Sequence, residues 1–140
     1  MSSTEGAPLG APVPLSGEVR EVMTPGVVTI LEDASVKQVR RAMNAHGVHA
    51  ILVLGRDQGR PLGWVTTRGL LSWVDRDESL AHARDAITEP PTTIEPSASA
   101  HEAIRAILQP GVTHLLVQHH PDRLPEGVIG EGDLLALGRD

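Results

Sequence analysis

Few side chains in this sequence can do chemistry, and their spacing removes most of the reactions they would serve. There is no cysteine, which excludes thiolate nucleophiles, disulfides and cysteine-bound zinc. Seven histidines are present. His119 and His120 are adjacent and His46 and His49 flank Gly47, so no pair has the spacing or the carboxylate partner of a zinc site. His114 differs from the rest in opening an apolar strand. The glycines from Gly127 to Gly132 run Gly-x-x-Gly-x-Gly, the wrong order for a dinucleotide fingerprint. A serine elbow, a P-loop and a paired carboxylate set are all missing, so an enzyme is the least supported class. What remains is Thr66, Thr67 and Arg68 at one strand-to-helix corner, and Asp133 at another. A hydroxyl beside the free amides of a helix start suits an anion, and a carboxylate accepts from two neighbouring hydroxyls at once.

The two corners are twins. Gly63-Trp64-Val65-Thr66-Thr67-Arg68-Gly69-Leu70-Leu71 is repeated 64 residues later as Gly127-Val128-Ile129-Gly130-Glu131-Gly132-Asp133-Leu134-Leu135. The same offset aligns Val19–Val74 with Ala83–Gly138 without a gap, and 16 of the 56 positions are identical. Chance pairing gives about four or five, so the chain is an internal repeat. A unit of this length is marginal alone, so two copies are expected to share one core.

The elements that position the corners follow from local pattern. Ser35 with Gln38, and Ser99 with Glu102, have capping-box spacing. After them Val36, Val39 and Met43 fall on one helical face, as do Ala100, Ala103, Ile104 and Ile107. Gly47 and Gly111 stand where these helices should stop. Val27–Ile30 reads as a brief strand, and Ala50–Leu54 and His114–Gln118 as strands apolar enough to be buried on both faces. Leu62–Thr66 and Gly127–Ile129 are the next strands, followed by helices near Thr67–Val74 and Glu131–Leu137. Glu18–Met23 and Ala81–Ile87 read as short helical lead-ins. Residues 1–17, rich in Ser, Gly, Pro and Ala, read as a flexible tail. The expected division is therefore this tail, a first repeat over 18–76 and a second over 77–140.

A net charge of -6 and a single lysine, Lys37, argue against a nucleic-acid or anionic-membrane partner. With no Phe or Tyr, a stacking platform for single strands has almost nothing to build with. No apolar run approaches the ~20 residues of a membrane span, and the N-terminus lacks the pattern of a secretory signal. The expectation is a cytoplasmic protein.

Each copy resembles a CBS motif, named for cystathionine β-synthase, and the tandem resembles a Bateman module. The residues that carry this are Val22-Met23-Thr24, Val27-Val28-Thr29-Ile30, Ala34-Ser35-Val36, Gly47-Val48, Ile51-Leu52-Val53 and Gly63-Trp64-Val65-Thr66 with Leu70-Leu71. The second copy repeats them from Ile87-Thr88 to Asp133-Leu134-Leu135. The resemblance implies an α+β fold of two β-α-β-β-α CBS repeats packed about a pseudo-two-fold axis. It also implies a regulatory, non-catalytic module without a cofactor. Such modules hold an adenosyl ligand (AMP, ATP or S-adenosylmethionine) in clefts between the copies, and commonly pair as homodimers. The family signature is Gly, apolar, any residue, Ser/Thr, two residues, Asp, in which the Asp takes the ribose hydroxyls and the Ser/Thr lies near phosphate. The first copy keeps Thr66 but has Gly69 in place of the Asp; the second keeps Asp133 but has Gly130 in place of the Ser/Thr.

The candidate ligand-binding positions are Asp133, Thr66, Thr29 and Thr93, which match the family's positions, with Thr67 and Arg68 beside Thr66 and His114 at a strand entrance beside the expected cleft. Each has a plainer reading: Asp133 and Thr66 as helix caps, Thr29 and Thr93 as ordinary strand residues, Arg68 as a surface charge. Leu70, Trp73, Val74, Leu134 and Leu137 are the expected dimer face, with Leu71 and Leu135 completing the monomer core. Two functions remain open: a ligand sensor acting on an unidentified effector protein, and a structural homodimerisation module with degenerate clefts.

Overall fold

The computed structural model describes residues 16–120 and 123–135. Residues 1–15 of the expected tail, and Leu137, lie outside them. In chain order the elements are a 3-10 turn at Val19–Glu21, β1 (Thr24–Pro25), β2 (Thr29–Leu31), α1 (Val36–His46), β3 (Ala50–Leu54), β4 (Pro61–Thr66) and α2 (Thr67–Leu71). A second 3-10 turn at Ala83–Ala86 leads to β5 (Thr93–Ile94), α3 (Ala100–Ile107), β6 (His114–Val117), β7 (Gly127–Gly130) and α4 (Glu131–Leu134). The β-α-β-β-α unit thus occurs twice, and the class is α+β.

Two sheets form, ordered β2-β3-β4 and β1-β7-β6-β5. The pairs β2/β3 and β5/β6 are parallel. Parallel neighbours need a crossover, which α1 and α3 supply. The pairs β3/β4 and β6/β7 are antiparallel. Both capping boxes are formed: Ser35 and Gln38 exchange bonds of 2.8 and 3.0 Å, and Ser99 and Glu102 bonds of 2.8 and 3.1 Å. Gly47 ends α1 in the left-handed region at φ 64°. Gly111 is left-handed too, but α3 has already ended at Ile107. Pro110 is the reason, since the residue before a proline is pushed out of the helical region. Helix α2 also ends early, at Leu71, where the Ser72 hydroxyl donates to the Gly69 carbonyl at 2.6 Å and competes with the helical ladder.

The compact units do not coincide with the sequence repeats. Among the described residues, one consists of those from 16 to 26 together with those from 92 onward; the other is Val27–Pro91. The lead-ins cause this, because each joins the sheet of the other copy. In β1, Thr24 pairs with Val128 and Pro25 with Gly127. Glu89 forms an antiparallel bridge to Trp64 of β4 in the other copy. The glycines that open the twin stretches make room for these crossings. A methyl group on Gly63 would stand 2.5 Å from Ile87 Cγ2 and 2.7 Å from the Glu89 carbonyl oxygen. On Gly127 it would collide with the Thr24 carbonyl and with Met23 Sδ.

Each unit has its own core. In Val27–Pro91, Val36, Val39 and Met43 of α1 pack on Ile51, Val53 and Val65. In the other, Val19, Ala103 and Ile107 pack on Leu115, Val117 and Ile129. Leu52, Trp64 and Leu116 alternate with these strand residues and are buried too, so β3 and β6 are buried on both faces as their continuous apolar character requires.

Candidate functional site

The antiparallel pairing of β6 with β7 sets His114 opposite Gly130. Gly130 is the last residue of β7 and the N-cap of α4. Three residues on, one turn of helix brings the Asp133 carboxylate back, and its Oδ2 accepts from the Gly130 N–H at 2.8 Å. The His114 ring lies against the same glycine. A methyl group there would lie 3.5 Å from His114 Cδ2 and Nε2 and 3.9 Å from Asp133 Oδ2. Thr113 Oγ1 and His114 Nδ1 are 2.9 Å apart, which holds the ring in place. Thr113, His114, Gly130 and Asp133 are all half-buried. One unit therefore gathers an acid, an imidazole and a hydroxyl around a bare glycine. Thr93 is on β5 of the same sheet, exposed, and paired with Leu116. Thr113 was missed in the sequence; its place directly before His114 at a strand entrance was the signal available.

Thr66, Thr67, Arg68 and Thr29 belong to the other unit, where the Thr66 and Thr67 hydroxyls are already engaged. Thr66 Oγ1 accepts from the Gly69 N–H at 3.1 Å and caps α2. The Thr67 N–H and hydroxyl both donate to the His49 carbonyl, at 2.9 and 3.3 Å. Arg68 is exposed, and Thr29 is an exposed strand residue paired with Leu52. Gly69, at the position matching Asp133, is buried. The described residues contain no group of three metal-ligating side chains. None of their helices is long and apolar enough to cross a membrane.

A groove of about 810 Å³ lies on the helical side of Val27–Pro91, floored by Met43, Val48, Leu70, Leu71 and Val74. Arg40 grips Glu78 at its rim with bonds of 2.8 and 3.0 Å, and Arg76 lies 4.5 Å over the Trp73 ring. Leu70 and Trp73 are only partly exposed and pack on the core of this unit, as Leu134 does on the core of the other. Leu71 and Leu135, expected to complete the core, are instead 67% and 88% exposed, and Val74 is 75% exposed. The short helices turn Leu70 and Leu134 inward, and the residue that follows each must point out.

A family model described as CBS domain matches residues 19–76 and again 83–140. The chain belongs to the CBS domain family. Among curated proteins, an uncharacterized protein of Methanopyrus kandleri, MK0525, is 25% identical over 127 residues. That alignment takes in 87% of this chain and 63% of the relative, so the chain spans less than two thirds of the relative's length. Among the solved structures that share this fold are two with a bound nucleotide. One is the CBS domain protein PAE2072 from Pyrobaculum aerophilum complexed with AMP, at TM-score 0.71 and 21% identity over 83% of this chain and 88% of that one. The other is the CBS domain of a bacterial CNNM/CorC family Mg2+ transporter in complex with ATP, at TM-score 0.73 and 18% identity over 86% of both chains.

Proposed function

We propose that this CBS pair is a regulatory, non-catalytic sensor that binds an adenosyl ligand at Asp133 and conveys its presence to a partner protein. The observation that carries the reading is the half-buried carboxylate at the β7–α4 corner. One of its oxygens accepts from the Gly130 N–H. Among the described residues the other oxygen has no donor, and two vicinal ribose hydroxyls match that capacity. The AMP and ATP held by PAE2072 and by the transporter domain support this ligand class. Gly130 offers no hydroxyl to a phosphate, and Glu131 in the first turn of α4 repels one. The preferred ligand therefore carries little phosphate charge beside α4, with His114 as its nearest imidazole. Calorimetric titration with AMP, ATP and S-adenosylmethionine tests this in the wild-type protein and in Asp133→Ala. A tight ATP complex that survives the substitution refutes it.

A second reading rests on the groove of Val27–Pro91. Exposed Leu71 and Val74 along an apolar floor suit self-association, and a homodimer through this face serves a purely structural module as well as a sensor. Sedimentation of Leu71→Glu checks it: the variant is expected to be monomeric where the wild type is dimeric.

A further inference from the structure

The two copies differ most at the position that holds Asp133 in one and Gly69 in the other. In the unit Val27–Pro91 this position is filled rather than merely empty of an acid. A methyl group on Gly69 would stand 2.9 Å from Thr88 Cγ2, and 3.4 Å from both the Thr88 and Thr66 hydroxyls. Gly69 is consequently buried, whereas Asp133 is half-buried. The Thr88 backbone is held there: its N–H donates to the Trp64 carbonyl at 3.0 Å, and the Trp64 N–H donates to the Glu89 carbonyl at 3.0 Å. Gly63 permits that crossing by having no side chain between β4 and Ile87. Thr66 Oγ1 is spent on the Gly69 N–H. A ligand sugar approaching the start of α2 meets a methyl group and a committed hydroxyl where the second copy presents a carboxylate.

We infer that Thr88 closes the copy-one ligand position, so that each chain binds one adenosyl ligand and not two. The inference rests on the proposed reading of Asp133. It makes the module a one-site sensor whose first copy serves as scaffold. Thr24, the repeat partner of Thr88, pairs with Val128, whereas Trp64, the repeat partner of Val128, bridges Glu89, so the two lead-ins sit one residue out of register with each other. Closure of the first copy needs both changes together, the lost acid and the threonine that has settled over the glycine.

Native mass spectrometry and calorimetry of the full chain with AMP, ATP and S-adenosylmethionine test the count. One ligand per chain is expected for the wild type. The double variant Gly69→Asp/Thr88→Ala is expected to take a second, and to keep that second ligand when Asp133→Ala is added. Two ligands on the wild-type chain overturn the inference, as does a double variant that melts like the wild type yet gains no ligand. A wild-type chain that binds none of the three refutes the Asp133 reading instead. The double variant still decides the inference in that case, because a single ligand gained on it supports closure by Gly69 and Thr88.

Discussion

Gly63→Ala tests the exchange of lead-ins on which both units depend. The added methyl would meet Ile87 Cγ2 at 2.5 Å and the Glu89 carbonyl oxygen at 2.7 Å. A side-chain end can rotate away, but a backbone carbonyl moves only with its strand. If the lead-in stays, the packing is strained, at a cost of about 1–3 kcal/mol. If it lifts away, the Trp64–Glu89 and Thr88–Trp64 backbone bonds are lost. At about 0.5–1.5 kcal/mol each, these sum to a similar range. Either route lowers the melting temperature by roughly 4–12 °C for a chain of this size. Gly132→Ala is the control, since nothing lies within 4 Å of a methyl group there. Calorimetric melting gives the magnitude, and amide exchange at Trp64 and Thr88 gives the location. If Gly63→Ala melts with the control and its two amides stay protected, the account of this glycine is wrong.

Ser35→Ala and Ser99→Ala should each cost about 1 kcal/mol in urea unfolding, because each removes one half of a formed capping box. Gln58 sits at φ 65° in the β3–β4 turn, a left-handed conformation that costs an ordinary residue roughly 1–2 kcal/mol. Gln58→Asn should therefore raise the melting temperature, as asparagine tolerates this region better. Arg56 Nε–H donates to Asp33 Oδ2 at 2.6 Å, and that bond holds the Asp33 carboxyl below its usual range. Because the folded value is the lower one, the stabilisation is present above the ordinary carboxylate range and is lost as pH falls through the depressed value. Asp33→Asn should flatten the acid side of a plot of melting temperature against pH, and an unchanged slope would exclude this pair as a cause.

The sequence alone determined whatever depends on neighbours a few residues apart. The offset of 64 exposed the repeat, Ser35/Gln38 and Ser99/Glu102 announced their helices, and the apolar runs at Ala50–Leu54 and His114–Gln118 marked buried strands, the second ending one residue earlier at Val117. These signals are local because caps close over three residues and strands declare their burial by composition. The corner that holds Asp133 was legible for the same reason, as one helical turn joins it to Gly130. Tertiary structure decided which sheet each lead-in joins. Thr24-Pro25 and the segment ending at Glu89 are too short to carry a period, so only the space left by Gly127 and Gly63 selects their partners. Folding likewise turned Leu71 and Leu135 outward, brought the His114 ring over Gly130 and set Thr88 on Gly69. Each of these depends on residues distant in sequence meeting at one point, and composition and spacing carry no record of such a meeting.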